Sequence, residues 1–195
     1  MIKHVFDFDK TLTFKDSTLL IFRSAYKKRF IKFAEYIALI FLSIITKIKL
    51  LKINPYKDII FFILFRDKNK EYIRNFFIEV SKDKIHSENL NTCGLYIRNE
   101  SQENVLVISA SPTEYIKNLL PNTFVLGTNF SFDKNDIFKG VAVHCHSENK
   151  YHELKRNKIK SFDFAYSDSK QDSCLLNIAE KKSFLVLNSK NKRLK

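Results

Sequence analysis

Short apolar runs that stop abruptly at acidic or hydroxyl residues set the frame of this chain. His4-Val5-Phe6 leads into Asp7-Phe8-Asp9, Val105-Leu106-Val107-Ile108 into Ser109-Ala110-Ser111, and Phe162-Asp163-Phe164-Ala165-Tyr166 into Ser167-Asp168. Such runs predict strands, and four consecutive apolar residues predict one buried on both faces, as in a parallel sheet. Further strands are expected at 124–127 and 182–187, with one arm of an edge hairpin over 137–145. Helical patterns fall between them. One follows Asp16 or Ser17, either able to cap it; one has Pro112 in its first turn; one starts at 146–155; and one spans 173–179. Strands alternating with helices predict an α/β fold with a doubly wound, Rossmann-like parallel sheet.

The stretch between the first two strands breaks this rhythm. Residues 22–60 carry nine basic residues (Arg23, Lys27, Lys28, Arg29, Lys32, Lys47, Lys49, Lys52, Lys57) against Glu35 and Asp58. Within them lies an uncharged apolar run, 36–46, and after Asn54-Pro55 comes another, 59–65, so a helical hairpin with proline at its turn is expected. Eleven helical residues span roughly 16 Å, whereas crossing a bilayer core takes on the order of 20 apolar residues. A conventional span is disfavoured. An interfacial helix with basic flanks and a soluble helical cap packed on itself both fit, and a re-entrant hairpin is a third reading. Residues 70–103 read as helix and polar loop, ending at Cys93-Gly94 or near Asn99.

At 195 residues with 45% hydrophobic composition, the chain can bury the core of one domain. The net charge of +13 implies an anionic partner: nucleic acid, anionic lipid or a phosphorylated substrate. Nucleic acid is not expected, because the basic residues interleave with aliphatic runs and no recognition motif accompanies them. Cys93, Cys145 and Cys174 are too widely spaced for a zinc site or disulfide framework, which points to a reducing compartment. No secretory signal pattern is expected from the first residues.

Asp7 and Asp9, placed where open α/β sheets bind ligands, would repel each other without a cation or a shared proton. Asp7-Phe-Asp9-Lys-Thr11, the strand ending in Ser109, Lys150 at a helix start, and Tyr166-Ser-Asp168-Ser-Lys-Gln-Asp172 occur in this order. The ordered set resembles the motifs of the haloacid dehalogenase-like phosphohydrolases. The helical insertion after the first motif resembles the branch that includes phosphoserine phosphatase. Ser109-Ala-Ser-Pro112 with the fourth motif is similar to the membrane-associated phosphatidylglycerophosphatase C group, although Ser167-Asp168 stands where many relatives have Gly-Asp.

The resemblance implies a phosphomonoesterase. Asp7 would be the nucleophile forming an aspartyl phosphate, and Asp9 the acid that protonates the leaving alcohol and later activates water. Mg2+ would be held by Asp7, Asp168 and the Asp9 main-chain carbonyl. Ser109 and Lys150 would hold the phosphoryl oxygens, with Asp172 orienting Lys150 or a metal-bound water. Plainer readings stand beside these roles. Ser109 could cap a helix, Ser111 could take the phosphate, and Lys155 or Lys158 could replace Lys150. Asp168 and Asp172 could simply favour a helix start. His144 and His146 flank Cys145, but strand alternation points both outward, away from any metal role.

The expected organisation is a catalytic core of residues 1–15 and 82–195 with a basic, apolar helical cap at 16–81 that selects the substrate. The expected substrate is a lipid phosphate such as phosphatidylglycerophosphate, handled in the cytoplasm at the inner face of a bacterial membrane, with peripheral contact to anionic lipid. A soluble monoester such as phosphoserine or a sugar phosphate is the alternative, and a non-enzymatic nucleic-acid binder the remote one.

Overall fold

A strand as short as β1 (His4–Phe6) holds its place only if both edges are paired. In a computed structural model that describes residues 2–47, 53–100 and 103–186, it is. It runs parallel between β2 (Val105–Pro112) and β5 (Phe162–Ser167), with Val5 opposite Leu106 on one side and Ala165 on the other. β3 (Phe124–Phe132) and β6 (Ala179–Leu185) extend the sheet in parallel, and β4 (Phe138–Val143) closes one edge antiparallel to β3. The order β4-β3-β2-β1-β5-β6 is the doubly wound α/β sheet expected from the alternation, with one antiparallel edge strand.

Successive strand residues feed opposite layers, as the pleat requires. Val5, Leu106 and Ile108 pack with Leu154, Phe162 and Leu175 on one face. Phe6, Val105 and Val107 join a larger cluster that includes Phe76, Phe77, Tyr115 and Ile116 on the other. Phe6, Tyr166 and Phe184 stack across three adjacent strands, with ring centroids 4.3 and 5.0 Å apart.

Between β1 and β2 run α1 (Ser17–Lys27), α2 (Phe33–Lys47), α3 (Ile53–Phe65), α4 (Lys70–Ser81), α5 (Lys84–Glu88) and α6 (Thr92–Asn99). Their starts are chemically marked. Asp16 caps α1 by accepting from Thr18 N, Asn69 caps α4 from Tyr72 N, and Asn91 caps α6 from Gly94 N. Ile73, Phe76, Phe77 and Val80 give α4 its buried stripe at helical spacing. α2 and α3 are the expected hairpin, with Pro55 in the first turn of α3, where its missing N–H is tolerated. The side chain of Lys47, together with Lys49 and Lys52, lies outside the described residues. No described helix is long and apolar enough to cross a membrane.

Several boundaries differ from expectation for local reasons. Of the two expected ends for this segment, the one near Asn99 is observed: α6 ends at Asn99 and Gly94 lies inside it, where a Cβ would collide with the carbonyl oxygen of Leu12. Pro112 ends β2 and precedes α7 (Thr113–Leu119) instead of sitting in its first turn. After β4 comes α8 (Glu148–Arg156). Beyond β5, a 3-10 turn (Lys170–Asp172) leads into α9 (Ser173–Leu176), which stops short of 179 because Ala179 pairs with Phe162 in β6. Residues 188–195, which read as a basic tail, lie outside the described residues.

Candidate active site

Asp7 follows directly on β1, and its backbone N–H donates to Tyr166 O at 2.8 Å. The pairing of Phe6 with Tyr166 places Asp7 beside Ser167, so Asp7 and Asp168 leave neighbouring parallel strands at the same end of the sheet. Lys150, on the first turn of α8, reaches this end from another layer. Its ammonium donates to Asp7 Oδ1 and to Asp172 Oδ2, both at 2.7 Å, and Asp172 Oδ2 also accepts from Ser167 Oγ at 2.7 Å.

Lys150 is only 3% exposed, so this pairing is made in a low-dielectric setting. Burial works against its charge, but Asp7 and Asp172 outweigh it and hold the ammonium pKa above the ordinary lysine value. At Asp7, burial pushes the carboxyl pKa up, Lys150 opposes it, and Asp172 adds to the rise. One ammonium thus bridges two buried carboxylates and opposes the effect of burial on Asp7. Asp168 is half-buried, and its pKa is raised by burial against the pull of Lys10.

Asp9 is held differently. Past Phe8 the chain turns, with Lys10 at φ 60°, and swings the Asp9 carboxylate onto the start of α1. Oδ1 accepts from Ser17 N at 2.7 Å and Oδ2 from the Ser111 hydroxyl at 2.6 Å, while Ser17 Oγ lies 2.9 Å from Ser111 Oγ. Burial first, then Asp16, raise its pKa to about 7, against the two hydrogen bonds that lower it. A carboxyl so poised can both give and take a proton near neutrality.

Ser111 is thereby engaged with Asp9, whereas Ser109, 1% exposed, accepts from Ser111 N at 3.1 Å. Gly127 makes this strand-end packing possible: a Cβ there would stand 2.6 Å from Ser111 O and 2.9 Å from Thr113 N. Lys155 and Lys158 belong to the end of α8 and the turn beyond it, away from the first turn that carries Lys150.

Two side chains of this region escaped the sequence reading as site residues. The sequence marks Ser17 only as a candidate helix cap, a role Asp16 fills. Lys57, one of many lysines, extends from α3 to donate to Ala110 O, between the two serines. Burial lowers its pKa, while Asp9 and Asp16 raise it. Only the hydroxyl-rich end of β2 hinted at such a partner. His144 does not simply face outward: it is half-buried, with Nε2 3.0 Å from Asp58 Oδ1, and His146 Nδ1 is 2.8 Å from Ser147 Oγ. Cys145 is buried between them, its thiol pushed up to about 12 by burial.

Among the described residues no group of three or more His, Cys, Asp or Glu side chains is arranged to hold a metal ion. The donors expected for Mg2+ are two carboxylates and one main-chain carbonyl, which need no such group. Their chemistry suits a hard cation, since all three are oxygens.

Residues 4–177 match the family described as haloacid dehalogenase-like hydrolase. Solved structures are similar in fold. A protein of unknown function from Bordetella pertussis Tohama I is 15% identical with TM-score 0.69, over 91% of this chain and 87% of its own. A phosphoserine phosphohydrolase-like protein from Francisella tularensis is 18% identical with TM-score 0.56, over 91% and 82%. A phosphoserine phosphatase solved as an analogue of its phospho-aspartyl intermediate is 15% identical with TM-score 0.54, over 93% and 86%. No curated protein matches.

Proposed function

Because the chain belongs to the haloacid dehalogenase-like hydrolases, we propose that it is a phosphomonoesterase whose nucleophile is Asp7. The observation that carries this reading is the Lys150 ammonium bridging Asp7 and Asp172 at the carboxyl end of β1 and β5. An Asp7 carboxylate oxygen attacks phosphorus, the bond to the leaving oxygen breaks, and Asp9 delivers the proton that makes the alcohol neutral. Asp9 then takes a proton from water as that water attacks the aspartyl phosphate, releasing inorganic phosphate and regenerating Asp7. Lys150 and the Ser109 hydroxyl offset charge spreading over the phosphoryl oxygens, and Asp172 fixes the ammonium. Mg2+, held by Asp7, Asp168 and the Asp9 carbonyl, would neutralise the repulsion between carboxylate and phosphate.

Residues 16–81 act in this reading as a cap that selects the leaving alcohol, since the core addresses only the phosphoryl group. The basic and apolar character of that segment favours a lipid phosphate such as phosphatidylglycerophosphate, met at the cytoplasmic face of a membrane. A soluble monoester is the second reading, favoured by fold neighbours described as phosphoserine phosphatases. Phosphate release with Mg2+ from phosphatidylglycerophosphate in mixed micelles, compared with phosphoserine, tests the choice. Preference for phosphoserine would overturn the lipid assignment, and full turnover in Asp7→Asn would overturn the mechanism.

A further inference from the structure

From Phe33 to Ile44 the polar side chains of α2, Glu35 and Ser43, lie off one long face, which is apolar and yet lies at the surface. Leu39 is fully buried and Ser43 is 6% exposed, with the Ser43 hydroxyl donating to Leu39 O and paired with Tyr56 OH, so one face is fixed against the hairpin. The opposite face shows Phe33, Ala34, Ile37, Ala38, Phe41 and Ile44 to solvent, with Phe33 63% and Phe41 62% exposed. No charged or polar side chain interrupts this face over roughly 16 Å. An exposed apolar face of this length normally has something covering it.

The charge around the stripe says what that is. Tyr26 of α1 touches Phe33 and stacks on Tyr36, which brings the end of α1 against the start of α2. Arg23, Lys27, Arg29 and Lys32 are exposed along this approach; Lys27 is shared with Asp83 at 3.7 Å, and Glu35 turns its carboxylate back to accept from Lys32 N, so the basic character there is carried by Arg23, Arg29 and Lys32. Apolar side chains bordered by cations suit the boundary between acyl chains and anionic headgroups. A second copy would be a poor cover, since a chain of net charge +13 repels itself.

We propose that this face of α2 docks on an anionic lipid surface, lying in the interface without crossing it. The proposal deepens the lipid-phosphate reading and rests on it for what the enzyme meets there.

The test is sedimentation of the full chain with vesicles of phosphatidylcholine containing phosphatidylglycerol, beside vesicles of phosphatidylcholine alone. The chain has no tryptophan, so Phe41→Trp gives one fluorescent reporter on the stripe. Binding to the anionic vesicles with a blue shift of that emission is expected, and Ile37→Glu with Phe41→Glu lowers the bound fraction about tenfold or more. Hydrolysis of a water-soluble chromogenic phosphate ester stays unchanged in these variants. No binding by the wild-type chain, equal binding by the glutamate variant, or a dimer that the glutamate changes dissolve would each overturn the proposal. Failed docking with ester hydrolysis intact leaves the phosphatase reading standing, whereas docking without ester hydrolysis overturns that reading and not this one.

Discussion

The Ser111 hydroxyl donates to Oδ2 of Asp9 at 2.6 Å, joining residues 102 positions apart in the chain. The strand expected to hold the phosphate thus also holds the carboxyl of the first motif that is proposed for acid–base work. Since this bond stabilises the charged form, Ser111→Ala should raise the Asp9 pKa above its value of about 7. The limb of the pH–rate profile that reports Asp9 should then move up by about one pH unit, with kcat roughly tenfold lower, since hydrogen bonds to charged groups contribute about 1.5–3 kcal/mol. An unmoved profile would remove Asp9 from the acid–base role.

Lys150 carries a different expectation because it neutralises two buried carboxylates. Lys150→Met leaves Asp7 and Asp172 facing each other unpaired, a loss of about 3–5 kcal/mol in denaturant unfolding at neutral pH, with phosphatase activity abolished. The pH dependence fixes the sign. The folded pKa is raised above 10.5, so the stability from this pair is fully present below that pH and lost as pH climbs through the higher folded value. Wild-type midpoints should fall on alkaline titration above about 10.5, and the Met variant should fall less.

The sequence revealed what is local. Apolar runs that meet Asp7, Ser109 and Asp168 locate the carboxyl ends of β1, β2 and β5 to within a few residues, although β2 carries Ser109 and Ser111 buried inside it and ends only at Pro112, and alternation with helices then leaves few sheet orders. What stayed hidden depends on docking. Nothing near Lys57 separates it from the other lysines of its segment; its bond to Ala110 O arises from where α3 settles over β2. Ser17 likewise meets Ser111 only after α1 packs against that strand end. The α9 boundary failed because a four-residue helix has too little periodicity to be distinguished from the start of β6.

Gly127 ties stability to the site. With a Cβ at 2.6 Å from Ser111 O, Gly127→Ala forces β3 away from the β2 end, since backbone atoms cannot rotate aside. A loss of about 2 kcal/mol, or about 4–8 °C in Tm for a chain of this size, is expected. Because the displaced segment holds Ser111 against Asp9, kcat should fall more than ground-state binding weakens. Calorimetry and steady-state kinetics on the same preparation would read both.

His86 should steepen the loss of stability on the acid side. It is fully buried, with Nε2 2.9 Å from Ser24 Oγ and Nδ1 2.7 Å from Tyr115 OH, and so joins α1, α5 and α7. Burial lowers its pKa from 6.5 to about 4, against the pull of Asp83. The unfolded chain therefore binds a proton first as pH falls, so stability drops from about 6.5 downward and levels once pH is below about 4. The difference of about 2.5 pH units between those values corresponds to roughly 3 kcal/mol. Asp9, with its pKa raised, contributes the opposite trend over part of this range, so the comparison belongs between wild type and His86→Gln, which keeps a donor and an acceptor in place. Urea midpoints from pH 7 to 4 should fall more steeply in the wild type, and parallel curves would show that His86 does not govern the acid limb.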